Sequence, residues 1–75
     1  MNTVETALQD YQRLSGKTMR QIADEIGVTR VTLATWKRQG YVSEDHVLRF
    51  SEVTKAAPWA VTKLAKELGR RFSAA

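Results

Sequence analysis

At 75 residues the chain has the length of one small domain, near the size at which a single hydrophobic core only just suffices. Hydrophobic residues at 43% and charged ones at 27% argue against a disordered chain, while one histidine and no cysteine exclude a disulfide framework and leave too few ligands for a typical zinc site. The net charge of +4, with a pI of about 9.9, favours an anionic partner without identifying it.

Helical periodicity dominates the chain. Val4, Ala7, Leu8, Tyr11 and Leu14 form one apolar stripe, predicting a first helix over Thr3–Leu14 that Ser15-Gly16 ends. Thr18 suits the N-cap of a short second helix, Met19–Ile26, with Met19, Ile22, Ala23 and Ile26 buried and Gly27 as its stop. Thr29 caps a third over Arg30–Arg38, with Leu33 and Trp36 on its inner face and Gly40 closing it. Ser43 caps a fourth, whose inward side holds Val47, Leu48, Phe50, Ser51 and Thr54. Pro58 fits the first position of a fifth helix, where its missing N–H costs nothing. Val61, Leu64, Ala65 and Leu68 form that helix's stripe, Gly69 ends it, and residues 70–75 make a tail. Short extended pieces could form over Arg38–Ser43 and Arg71–Ser73. The expected architecture is all-α: one domain over 1–75, a compact bundle of four to five short helices.

The longest apolar stretch, Ala56 to Val61, is broken by Pro58 and is far too short to span a membrane. Glu5 and Asp10 stand where a secretion signal would place a basic start and an apolar run. The expected setting is therefore the cytoplasm.

The informative stretch is Thr18 to Gln39, TMRQIADEIGVTRVTLATWKRQ. Two helices joined only by Gly27-Val28-Thr29 must cross steeply, because so short a link cannot return the chain antiparallel. Ala23 supplies the small residue where the helices approach, and Gly27, four positions on, supplies freedom to adopt positive φ at the corner. Ile22, Ile26, Val28, Leu33 and Trp36 seal the corner. These offsets agree with a helix-turn-helix that presents its second helix outward.

On these residues the segment resembles the helix-turn-helix of phage Cro and repressor proteins, and especially small Cro-like prophage regulators, including YdaS-type antitoxins. The ending Trp36-Lys37-Arg38-Gln39-Gly40 resembles the Trp-Lys-Arg-x-Gly common on the recognition helix of the latter group. The resemblance covers the motif well and the last two helices loosely. It implies a lambda repressor/Cro-like fold and binding to double-stranded DNA. One departure concerns the Gln that usually begins the first motif helix and braces a phosphate. Met19 holds that place, so the clamp does not carry over, and Lys17 and Thr18 are left as weaker phosphate contacts.

Charge follows the same division. Residues 16–40 carry five basic and two acidic groups, residues 41–54 are net acidic, and residues 55–75 carry five basic groups against Glu67. Basic groups thus concentrate on the motif and the tail, as phosphate contacts require. On the outward side of the third helix, Arg30 is the candidate for a guanine edge, since a guanidinium donates bidentately to O6 and N7. Val31, Ala34 and the Thr35 methyl are small and apolar enough to lie against thymine methyls. Thr29, Thr32, Lys37, Arg38 and the tail's Arg70 and Arg71 are phosphate candidates that set register, although the two tail arginines could equally be a solvated face.

Other residues have plainer readings. Trp36 faces inward with Leu33 and is expected in the core rather than as a base-stacking platform. Trp59 is expected to be buried or in a subunit contact, and His46, between acidic neighbours, to be solvated. Tyr41, Val42, Trp59 and Phe72 are surplus apolar residues outside the motif and form the candidate dimer interface. An enzyme is not expected. Asp24 and Glu25 are adjacent on a helix and face different ways. The serines have only His46 as a base, and no glycine-rich phosphate loop occurs. No cofactor, metal or small-molecule ligand is implied. The expected function is sequence-specific transcriptional control as a homodimer on a palindromic operator, associated with the bacterial nucleoid when bound. The alternative is an antitoxin-like or adaptor protein with a protein partner, which a long helical extension would favour; only six residues follow Gly69.

Overall fold

The computed structural model describes residues 2–73, with side chains through residue 69. Five helices follow in order: α1 (Thr3–Ser15), α2 (Met19–Ile26), α3 (Arg30–Gln39), α4 (Val47–Thr54) and α5 (Lys63–Ser73). Short 3-10 turns at Glu44–His46 and Pro58–Val61 precede the last two, and the described residues include no strand.

The first three helices form where local chemistry dictates. Thr18 Oγ1 accepts from the Gln21 amide while Gln21 Oε1 accepts from the Thr18 amide, a reciprocal box that satisfies two otherwise orphaned donors. Thr29 Oγ1 accepts from the Thr32 amide in the same way at the start of α3. At the corner Gly27 has φ +90°, and a Cβ there would meet nothing within 4 Å. The left-handed backbone therefore requires the glycine, not a shortage of space.

The core gathers from all four of the first helices and the second 3-10 turn. Val4 and Leu8 of α1, Ile22, Ala23 and Ile26 of α2, Leu33 and Trp36 of α3, Val47 and Phe50 of α4, with Val42 and Val61, are buried. Trp36 is at its centre. Phe50 meets it edge-on with ring centroids 6.0 Å apart, and its indole N–H donates to Ser43 Oγ at 3.2 Å. Burial of an indole is favourable only when that donor is satisfied, so Ser43 serves Trp36 rather than capping a helix.

Several expectations for the periphery need correction. Leu14 is 81% exposed, because the last turn of α1 runs past the helices that cover Val4 and Leu8. Leu48 is 71% exposed, since Val47 and Phe50 define the buried face of α4 and Leu48 lies about 100° from Val47 around it. Trp59 is 76% exposed in the single chain, so it is no core residue. Val42 is buried and its amide donates to Val61 O at 2.8 Å. It belongs to the core and not to a surface interface. His46 is half-buried, its ring 5.5 Å from that of Trp36 and its Nδ1 buried without a partner, because the 3-10 turn rotates it inward.

The expected fifth helix is two elements. Val61 O accepts from Val42, and the Thr62 hydroxyl takes the Ala65 amide at 3.1 Å, so the helical ladder stops and restarts at a threonine cap. Gly69 does not end α5, which continues through Arg70, Arg71 and Phe72 to Ser73. An interior glycine costs only about 1 kcal/mol against alanine. The candidate side chains of Arg70, Arg71 and Phe72 lie outside the described residues.

Candidate nucleic-acid interface

Recognition requires one helix to show its outer face while its inner face is held. Leu33 and Trp36 bury the inner face of α3. Arg30 and Ala34 are exposed, Val31 is 75% exposed, and Lys37 is half-buried. With Met19 and the edge of Leu33 these four line a shallow groove of about 300 Å³ between α2 and α3. The groove thus sets two cations, Arg30 and Lys37, beside the apolar surface of Val31, Leu33 and Ala34. Thr35 lies outside that groove; it is half-buried and its hydroxyl donates to Val31 O at 3.1 Å. Arg38 is exposed on the last turn.

The polar residues at the helix starts are committed to structure first. Thr29 and Thr32 hydroxyls hydrogen-bond each other at 3.1 Å, and Thr18 holds the capping box, although Thr18 and Thr29 keep exposed surface. Lys17 departs further from its expected role. Its ammonium pairs with Glu25 Oε1 at 2.7 Å and Tyr11 Oη at 3.1 Å, and Tyr11 Oη also donates to Glu25. Lys17 therefore ties α1 to α2 and is not a free phosphate contact.

That ion pair shifts both partners. The hydrogen bond from Lys17 holds the Glu25 carboxyl below its ordinary 4.5, against a partial desolvation, and the hydrogen bond to Glu25 raises Lys17 above 10.5. A carboxylate with a depressed native pKa contributes stability above its unfolded pKa and loses it as pH falls through the native value. A raised lysine contributes below its unfolded pKa and loses it as pH rises through the native one. Lys17→Met should thus melt below the wild type near neutrality, with the gap closing below pH 4.5. Melting curves that stay parallel into acid would show that the pair contributes nothing.

Three contacts were not expected from the sequence. Arg49 Nε donates to Glu25 O at 3.1 Å, bracing the end of α2 at the corner. Asn2 caps α1 and also reaches Lys37 O at 2.7 Å. Lys66 hydrogen-bonds Gln39 O. Only the Asn2-x-x-Glu5 spacing carried a signal, that of a capping box; the reach across the fold carried none.

Residues 11–57 match the family model described as the bacteriophage CI repressor helix-turn-helix domain. The chain belongs to that family. It is accordingly a helix-turn-helix DNA-binding regulator, and the matched residues run from the end of α1 through α4, taking in the whole groove-bearing corner. No curated protein and no solved structure matches the chain. Among the described residues no helix is long and apolar enough to cross a membrane.

Proposed function

We propose that this phage repressor-type domain is a Cro-like transcriptional repressor that reads a palindromic operator as a homodimer in the bacterial cytoplasm. The observation that carries the reading is the juxtaposition of Arg30, Val31, Ala34 and Lys37 on one groove-lined face of α3. Arg30 reads a guanine edge, Val31 and Ala34 lie against thymine methyls, and Lys37, Arg38 and the Thr29 end of the helix set register on phosphates. Thr35 contributes its methyl at most, its hydroxyl being engaged within the helix.

One recognition helix buries too little surface for operator-grade affinity, and two copies about 34 Å apart remedy that by reading successive turns of one DNA face. Exposed Trp59 and Leu64 supply apolar area outside the motif for such a contact, and half-buried Tyr41 lines one surface cavity with Leu64. Selection from random duplexes should return inverted repeats with half-sites about one helical turn apart. On the selected duplex Arg30→Ala should cost about 1–3 kcal/mol and relax preference at one base pair, whereas Lys37→Ala should weaken selected and random duplexes alike. Equal flattening of preference by both changes would defeat the division of roles.

A further inference from the structure

The carbonyl end of α3 is held by side chains from outside the family-matched residues, one near each end of the chain. A helix leaves its last four carbonyls without intrahelical donors and concentrates negative partial charge on them. In α3 the Gly40 amide takes Trp36 O at 2.8 Å. Asn2 Nδ2 takes Lys37 O at 2.7 Å, and the Lys66 ammonium takes Gln39 O. Asn2 serves two helices at once, because its Oδ1 also accepts from the Glu5 amide at 2.8 Å as the N-cap of α1. Gly40 lies against both visitors, and its left-handed backbone rather than a shortage of space favours the glycine. It has φ +86°, and a Cβ there would be 3.4 Å from Lys66 Cδ and 3.5 Å from Asn2 Nδ2. The Lys66 ammonium further lies 5.5 Å from the centre of the Tyr41 ring.

We infer that Asn2 and Lys66 are positioning residues for DNA reading, clamping the C-terminal end of the recognition helix and so setting the angle at which Arg30, Val31 and Ala34 meet the bases. The inference rests on the DNA-reading role of α3 proposed above. Its leverage is geometric. A ten-residue helix is about 15 Å long, so a tilt of about 10° moves one end by about 2.6 Å relative to the other. That displacement exceeds the tolerance of a bidentate hydrogen bond.

The two duties of Asn2 can be separated. Asn2→Asp and Asn2→Ser both keep an oxygen that caps α1. The first turns the donor facing Lys37 O into an acceptor, and the second is too short to reach it. Lys66→Met keeps the apolar stem beside Gly40 and removes the ammonium, and Lys66→Arg restores a cation. Amide exchange by NMR should quicken about five- to tenfold at Gly40 and the last turn of α3 in Asn2→Asp, Asn2→Ser and Lys66→Met, with α2 unchanged. The ratio of affinities for selected and random duplexes should fall by a similar factor. It is the ratio that reports position, since an altered charge weakens both duplexes alike. Lys66→Arg should recover both readouts. Wild-type exchange at Gly40, or faster exchange spread evenly over α2 and α3, would overturn the clamp. Local loosening with an unchanged ratio would overturn its role in reading. A wild-type protein that prefers no duplex would overturn the DNA role while exchange still reports the clamp by itself.

Discussion

Trp36→Ala should lower the melting temperature by about 12–40 °C. Deleting a buried tryptophan to alanine costs about 3–5 kcal/mol, and each kcal/mol moves the midpoint of a domain this size by about 4–8 °C. The margin is small to begin with. At about 0.05–0.15 kcal/mol per residue, 75 residues carry roughly 4–11 kcal/mol in all. Trp36 is 1% exposed, with Phe50 of α4 on one side and His46 of the preceding turn on another. The variant loses those contacts and leaves a cavity that short helices cannot close without tilting. Trp36→Phe should cost far less, because it keeps most of the volume and forfeits only the bond to Ser43. Far-UV circular dichroism during a thermal ramp gives both values. A shift under about 5 °C in Trp36→Ala would show that the core does not depend on this side chain.

The second large effect is on affinity. With Lys17 bound to Glu25, Lys66 to Gln39 O and Arg30 on a guanine edge, the cations the motif retains for phosphates are exposed Arg20 and Arg38 and half-buried Lys37. Three neutralised phosphates per copy give a slope of about −2.7 in log affinity against log salt. Between about 50 and 200 mM salt one copy would then lose about 40-fold, and two copies on one duplex about 10³-fold. Fluorescence anisotropy with a labelled duplex across that range measures the slope directly. A value flatter than about −1 would sink the phosphate assignments, and one much steeper than −6 would call for further cations beyond the three.

How much of this was legible varies along the chain. Met19–Ile26 was read to the residue and α3 to within one, because capping hydroxyls, stop glycines and apolar offsets all lie within four positions of what they control. The outward set Arg30, Val31 and Ala34 followed from that periodicity, since a helix buried through Leu33 and Trp36 must expose the opposite arc. The Lys17–Glu25 pair was not legible because a basic residue before a helix looks the same whether its partner is a phosphate or a carboxylate eight positions away. Leu14 and Leu48 were misplaced because periodicity finds an apolar face but not where the neighbouring helix stops.

What the sequence determined by itself was the helix-turn-helix, its corner and the identity of its exposed face, all consequences of contacts between residues close in the chain. The tertiary structure alone decided the rest. It broke the expected last helix at Thr62, where a backbone bond between Val42 and Val61 diverts the ladder. It turned Lys55 into a left-handed helix end at φ 66°, with no glycine to announce it. It brought Asn2 across 35 positions to Lys37 and Lys66 across 27 to Gln39. A polar side chain carries no mark of a distant partner, because its hydrogen-bonding capacity is equally well met by water until the fold removes the water and supplies a carbonyl.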